Sequence, residues 1–386
     1  MPAVAIVSEY NPFHNGHLYQ IQKIKELFPG AAVISVMSGS LVQRGELALF
    51  SKYERAKTAV KCGVDAVFEL PSVYSCAPAN IFAYSALYIL HNLSGVGYVC
   101  FGSECGDLEL LGFAAEKISR PEFGQKLRET VKTHKNESYP KNVYNLFCGL
   151  YGEKKASVLN GSNNILAIEY LKALKKLNSG MIPVTVKREG ADFKSAGCIR
   201  GFIKDKMTDK IKNSMPDPAY GDVIELVNKG KYSDISSISP AVIFRLCGLD
   251  AGEIAEFAGV SDTGAAKRIK SALDGCFDYS LLEKKLAAKH SSPSSVKRMI
   301  LSVFFGITKE MQHIPPAFTT LLAANETGRA FMGKIRKNTK IKIITKPADI
   351  CGDKVFEKNL FIDNAHTLSL YDKTGEINML KQKPFI

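Results

Sequence analysis

Val4-Ala-Ile-Val-Ser-Glu-Tyr-Asn-Pro-Phe-His14-Asn-Gly-His17 is the stretch whose reading decides the fold. Its apolar start reads as a buried first strand, followed by a Pro-containing turn and a His-x-Gly-His tetrapeptide. Behind it, Leu18, Ile21, Ile24, Leu27 and Phe28 recur at helical spacing and predict an amphipathic helix. A strand, a tight turn and a helix N-terminus together hold anions, because free backbone N–H groups and the helix dipole both favour negative charge there. Two imidazoles at that point can donate to phosphate oxygens whose charge grows during displacement at phosphorus. Gly16 lets the backbone pass close to a nucleotide. The plain alternative is a pair of ordinary histidines beside a turn, and their place directly after the first strand favours the chemical reading.

On these residues the chain resembles the HIGH-type nucleotidyltransferase superfamily. The resemblance implies attack on the α-phosphate of a nucleoside triphosphate, with release of pyrophosphate. Coenzyme-forming adenylyltransferases, cytidylyltransferases and aminoacyl-tRNA synthetases all carry related tetrapeptides, so this one alone does not select among them.

The 386 residues, 46% hydrophobic, can bury a substantial core and suggest two or three domains. No apolar run is long enough to span a bilayer and no secretory signal is evident, so a cytoplasmic protein with no membrane partner is expected. Nine cysteines are scattered singly without a C-x-x-C pair, which indicates neither a zinc site nor a disulfide framework. The formal net charge of +13 is unevenly placed. Residues 1–150 hold fourteen Lys/Arg against thirteen Asp/Glu, leaving 37 against 25 for the remainder. A near-neutral nucleotide-type half joined to a strongly basic one points to a polyanion, with nucleic acid the first candidate.

The first two hundred residues alternate β-type runs (31–37, 66–70, 98–102) with helical patterns (52–62, 79–90, 108–116, 164–177). Such alternation predicts an α/β fold: a Rossmann-like, mostly parallel sheet with helices on both faces and its ligands at the carboxyl ends of the strands. Residues 120–160 read as a helical insertion. The pattern from 205 to 300 is helical and charged, and beyond 315 it becomes α/β again, with a helix through 328–337 and a strand through 340–346. The expected division is therefore a catalytic domain over 1–205, a helical region over 206–300, and a basic α/β region over 301–386. Ser291-Ser-Pro-Ser-Ser is the best linker candidate.

Further motifs fall into place together. Phe101-Gly102-Ser103-Glu104 ends a strand, and Asn160-Gly-Ser-Asn163 opens a helix with an Asn or Ser expected at its cap. Val186-Lys187-Arg188-Glu-Gly190 ends another strand. Ser195-Ala-Gly-Cys-Ile-Arg200 stands where the superfamily's second signature belongs. There a hydroxyl and an arginine would meet the β- and γ-phosphates, arginine being suited by its permanent charge and forked donors.

With Pro78-Ala-Asn-Ile-Phe-Ala, Gly328-Arg-Ala-Phe-Met and Ile343-Ile-Thr-Lys-Pro, nearly the whole chain resembles the tRNA-Met cytidine acetate ligase family. The resemblance implies that acetate is activated with ATP as acetyl-adenylate, and that acetyl passes to N4 of the wobble cytidine of elongator tRNA-Met. It implies catalytic roles for His14 and His17. It also implies an ATP site of Val7, Ser8, Glu9, Tyr10, Asn11, Pro12, Phe13, His14, Asn15, Gly16, His17, Leu18, Tyr19, Gln20, Gly102, Asn163, Arg188, Ser195 and Arg200. Magnesium is the expected companion of the nucleotide, with no metal site of the protein's own. Glu9 and Glu104 are open between a role at magnesium or substrate and a cap or salt bridge. One departure stands out: the family shows Ser-Ala-Thr where this chain has Ser195-Ala-Gly197, followed by Cys198.

Between Glu326 and Asp349 lie Arg329, Lys334, Arg336, Lys337, Lys340, Lys342 and Lys346 with no acid among them. A solvated helix face would intersperse acids, so this run is the candidate tRNA contact. Two other readings stay open: a coenzyme-forming adenylyltransferase, and a non-catalytic RNA-binding protein that keeps the nucleotide fold.

Overall fold

The computed structural model describes residues 2–134, 136–188, 194–287, 292–346, 350, 352–370 and 382–386. Glu189–Gly190, Ser291, Pro347 and Asp349, named above, lie outside them.

Nine strands are seen among the described residues: β1 Ala3–Ser8, β2 Val33–Ser38, β3 Leu41–Val42, β4 Glu46–Leu47, β5 Ala66–Leu70, β6 Val96–Ser103, β7 Ile182–Lys187, β8 Phe318–Ala324 and β9 Lys342–Ile344. Seven form one sheet in the order β7-β6-β1-β2-β5-β8-β9. From β7 to β5 every pairing is parallel, β8 runs antiparallel to β5, and β9 is parallel to β8. The small β3–β4 hairpin stands apart.

Period-two alternation explains the layering. In β1, Ala3 and Ala5 belong to one hydrophobic core and Val4 and Ile6 to another, while in β5 Ala66, Phe68 and Leu70 face the first and Val67 the second. Helices cover both faces, so the strands read as continuous apolar runs and not as apolar–polar alternation. The helix behind the opening strand runs Asn15–Leu27 and buries Ile21 and Ile24. Leu27, expected on that face, is 56% exposed because the helix ends there.

β8 has no counterpart in the sequence reading. All seven of its residues are buried, and Phe318-Thr-Thr-Leu-Leu-Ala-Ala carries no alternation that would separate it from a buried helix turn. The charged middle region is helical as expected, with helices such as Asp217–Asn228, Ser239–Gly248 and Thr263–Ala272. The stretch read as a linker is a helix start: Ser292 caps Pro293–Phe305, its Oγ accepting from Ser295 N–H at 3.2 Å, with proline in the first turn.

The chain order along the sheet reverses between β1 and β6, since the next strands in sequence after β1 lie on its β2 side. That reversal opens a crevice at the carboxyl ends of β1 and β6.

Candidate active site

His14 and His17 form their own local structure. His14 is the N-cap of helix Asn15–Leu27, and its Nδ1 accepts from Gly16 N–H at 3.0 Å. His17 Nδ1 accepts in turn from His14 N–H at 3.2 Å, a capping box built from two imidazoles. The rings stack with centroids 3.8 Å apart. Gly16 is required for a reason additional to the one expected: a Cβ there would lie 2.9 Å from Cε1 of the His14 ring.

Because each Nδ1 accepts a backbone N–H, the proton of each neutral ring sits on Nε2, which is left as a donor. Burial, aided by the Arg188 charge, lowers the His14 pKa to about 4. Burial first, then His14 and Arg188, hold His17 well below the ordinary histidine value. Both imidazoles are therefore neutral at physiological pH and act as hydrogen-bond donors rather than as cations.

They open onto a cavity of about 620 Å³ at the expected crevice, within the roughly 300–1,000 Å³ span of small-molecule sites. Val7, Ser8, Glu9, Tyr10, Asn11, His14, Gly16, His17, Tyr19, Gln20, Gly102, Asn163 and Arg188 all line it. Arg188 follows β7, its N–H donating to Ser103 O at 2.9 Å. A Cβ on Gly102 would touch the Arg188 side chain at 3.4 Å, so glycine leaves the arginine room beside the cleft. Asn11 Oδ1 accepts from Leu49 N–H at 2.7 Å, while its buried Nδ2 has no partner among the described residues.

The remaining expected residues stand elsewhere. Phe13 is core, 2% exposed, and Pro12 is buried beside it. Asn15 Nδ2 donates to Asn213 O at 3.0 Å, and Leu18 packs against the second core. Ser195 caps helix Ala196–Lys204, accepting from Cys198 N–H at 3.3 Å. Arg200 does not line this cavity: it donates to Asn11 O at 2.8 Å and pairs with Glu46 at 2.8 Å.

Glu104 is a cap. Its carboxylate accepts from Asn163 N–H (3.0 Å), Asn163 Nδ2 (2.7 Å) and Asn164 N–H (2.7 Å), so the N-terminus of helix Ser162–Lys176 is capped from another loop and not by its own Asn or Ser. Burial opposes its charge, and these donors outweigh burial and hold the pKa down. Glu9 accepts from Gln43 N–H at 2.8 Å, and burial raises its pKa against that bond and nearby arginines.

Sequence reasoning missed several lining residues: Gln43 and Arg44 between β3 and β4, Tyr170, Lys187, and Ser292, Ser294 and Arg298 of helix Pro293–Phe305. Arg298 Nη1 donates to Gln43 O at 2.8 Å. The cleft thus gathers four cations, Arg44, Lys187, Arg188 and Arg298, and the N-termini of helices beginning at Asn15, Ser162, Ala196 and Pro293. All of these favour a polyanionic ligand. Phe82, Phe101, Leu166 and Tyr170 supply an apolar wall.

The seven basic residues 329–346 are all exposed, and none of them lines the cleft. Helix Glu326–Ile335 opens beside Asp65, where β5 begins, as Asn325 N–H donates to Asp65 O at 2.9 Å. The cleft is at the opposite, carboxyl end of the strands.

A family model described as HIGH Nucleotidyl Transferase matches residues 1–382. A relative in Caldanaerobacter subterraneus named tRNA(Met) cytidine acetate ligase is 34% identical, covering 96% of each chain. One of the same name in Acetivibrio thermocellus is 31% identical over 94% of this chain and 93% of its own. This chain belongs to the tRNA(Met) cytidine acetate ligase family. Among solved structures, Thermotoga maritima TmcAL bound with alpha-thio ATP superposes with a TM-score of 0.89 at 28% identity, covering 97% of both chains. Its apo form gives 0.92 at 27% identity, over 100% of this chain and 99% of that one. Among the described residues, no helix is long and apolar enough to cross a membrane.

Proposed function

We propose that this chain is an ATP-dependent ligase that makes acetyl-adenylate from acetate and ATP, then acetylates N4 of the wobble cytidine of elongator tRNA-Met. The observation that carries the nucleotidyl step is the stacked pair of neutral imidazoles at a helix N-terminus, both lining a cleft that gathers Arg44, Lys187, Arg188 and Arg298. The names of the family relatives supply acetate and the tRNA.

In the first step an acetate oxygen attacks the α-phosphorus. The bond from that phosphorus to the bridging oxygen breaks, and pyrophosphate leaves with the electron pair. Neutral donors suit this step, since His14 and His17 hydrogen-bond most strongly to α-phosphate oxygens when charge develops on them. Arg44, Lys187, Arg188 and Arg298 hold the phosphates, and the apolar wall packs the uncharged parts of the substrates. Arg200, bonded to Asn11 O, acts as a positioning residue for the turn between β1 and the first helix. In the second step N4 attacks the acetyl carbonyl carbon, the bond to AMP oxygen breaks, and N4 gives up a proton.

Magnesium enters on the triphosphate in this reading. Among the described residues no group of three or more His, Cys, Asp or Glu could hold a metal ion. Glu104 caps a helix, and Glu9 accepts from Gln43 N–H. The exposed cations at 329–346 serve tRNA phosphates in this reading.

The test is ATP–pyrophosphate exchange with and without acetate. Exchange that requires acetate supports the reading. Exchange that proceeds with a phosphorylated cofactor in place of acetate replaces it with a coenzyme-forming adenylyltransferase.

A further inference from the structure

The ATP cleft shares a wall with a second cavity of about 390 Å³. Three segments build the wall, and each sends neighbouring residues to opposite sides. Arg44 faces the cleft and Glu46 the second cavity, Ala196 the cleft and Arg200 the second cavity, Arg298 the cleft and Lys297 the second cavity. The wall is closely packed at Gly45, whose φ of +75° and whose contact with the Arg298 backbone exclude any side chain. Glu46 organises the far side: one carboxylate oxygen pairs with Arg200 at 2.8 Å and the other with Lys297 at 3.0 Å. Through its other nitrogen Arg200 reaches Asn11 O, which belongs to the cleft's own turn.

We infer that this second cavity binds the acceptor nucleotide of the RNA, with Glu46 reading the exocyclic amine of cytosine. The inference rests on the acyl-transfer reading above and names a subsite for it. Three features carry it. Arg200, Lys204 and Lys297 face two carboxylates, Glu46 and Glu283, so the cavity keeps one positive charge in excess for a phosphate. Tyr279 and Ile235 supply aromatic and apolar surface for an unstacked base, the form in which proteins read single-stranded RNA. A carboxylate accepts from cytosine N4–H, while uracil presents an acceptor oxygen at that position and is repelled. Glu46 sits on the partition itself, so a cytosine held by it lies beside the cleft where the acyl group is made.

The experiment titrates the full chain, its cleft filled with a methylene-bridged ATP analogue, with the RNA trinucleotides UCU and UUU. UCU is expected to bind saturably and at least about fivefold more tightly than UUU, the discrimination typical of one base-edge contact. Lys204→Ala, at an exposed position, is expected to weaken both trinucleotides together by loss of a phosphate contact. Glu46→Gln is expected to narrow the gap between them. Equal affinity for UCU and UUU overturns the inference, as does UCU binding by Lys204→Ala indistinguishable from the parent. Failure of the acyl-transfer reading shows separately, as absence of acetate-dependent exchange in the parent without RNA, and leaves the trinucleotide result readable.

Discussion

Lys52 Nζ lies 2.6 Å from Asp363 Oδ2, joining residues 311 positions apart in a fully buried ion pair. The same ammonium is 2.7 Å from Glu69 Oε1, and Asn359 Nδ2 donates to that oxygen at 2.9 Å. Ser40 Oγ donates to the other Asp363 oxygen at 2.6 Å. Arg55, also buried, donates to Glu9 O at 2.6 Å and to the carbonyls of Ser38 and Gly39. Helix Lys354–Leu368 is thereby fastened to the strand ends, and Arg55 reaches the turn that precedes His14. A charge cluster stripped of water stabilises little in total, but removing one partner leaves the others uncompensated.

Lys52→Met should therefore destabilise the fold by about 3–5 kcal/mol, the usual cost of breaking a buried pair from one side. Denaturant unfolding measures it. The double variant Lys52→Met with Asp363→Leu should recover part of the loss, because fewer buried carboxylates are then unpaired. A single variant as stable as the parent would remove the cluster from any structural account.

Replacing His14 or His17 by Ala should lower acetate-dependent exchange about a hundredfold or more, the usual cost of losing one preorganised donor at a developing oxyanion. Affinity for ATP should change far less, since the benefit arises mainly in the transition state. Single-site exchange kinetics set beside equilibrium ATP binding separate the two effects, and a folded His17→Ala protein of full activity would refute the assignment.

Much of the cleft was legible because its histidines, Gly102, Asn163 and Arg188 follow strands or open helices, and local order in the chain mirrors local order in space. Arg44 and Arg298 were not legible. Each is an ordinary basic residue by its neighbours in sequence, and only the packing of helix Pro293–Phe305 against the β3–β4 hairpin brings them to the cleft. The Ser-Pro start of that helix was a usable signal, since a serine cap with proline in the first turn marks a helix N-terminus more often than a linker. β8 escaped because burial on both faces erases the alternation by which strands are recognised.

Arg188→Lys should raise the apparent KM for ATP, as lysine keeps the charge but loses the forked donors. Arg200→Lys should act differently. Its parent side chain bonds the Asn11 carbonyl and Glu46 rather than facing the cleft, so turnover should fall through the displaced turn with a smaller change in KM for ATP. Saturation curves for the two variants, measured side by side, test whether binding and positioning are divided between these arginines.

Stability should decline as pH falls from about 7 towards 5. Burial lowers the pKa of His14 and His366 to about 4 and that of His17 well below its ordinary value. Unfolded histidines take protons near pH 6.5, whereas these remain neutral in the native chain until far lower pH. Between those values the unfolded state binds more protons, so the stabilisation is complete above about 6.5 and is lost as pH falls towards 4. Each such histidine contributes a slope of up to about 1.4 kcal/mol per pH unit. Asp363, raised to about 6 by burial against the pull of Lys52, and Glu9, raised in the same way, take up protons first in the native state and offset part of this. Three histidines against two carboxyls leave a net loss on acidification. Unfolding free energies at pH 7, 6 and 5 check the sign, and a flat profile would mean that the buried imidazoles do not stay neutral.

The exposed cations at 329–346 make the last prediction, and their location gives it its form. β8 runs antiparallel to β5, so helix Glu326–Ile335 starts at the end of the sheet opposite the cleft. Neutralising Arg336, Lys337 and Lys340 together should therefore leave acetate-dependent exchange intact. Binding of tRNA should weaken and lose salt dependence, each missing phosphate contact on the single-stranded parts removing about 0.7 of log–log slope. Acetyl transfer to tRNA should fall with binding. Because residues 336, 337 and 340 are exposed, the fold should tolerate all three changes. Exchange, filter binding at several salt concentrations and tRNA acetylation on one preparation decide the matter. Loss of exchange together with transfer would place this stretch in support of the cleft, and unchanged tRNA binding would reduce it to solvated surface.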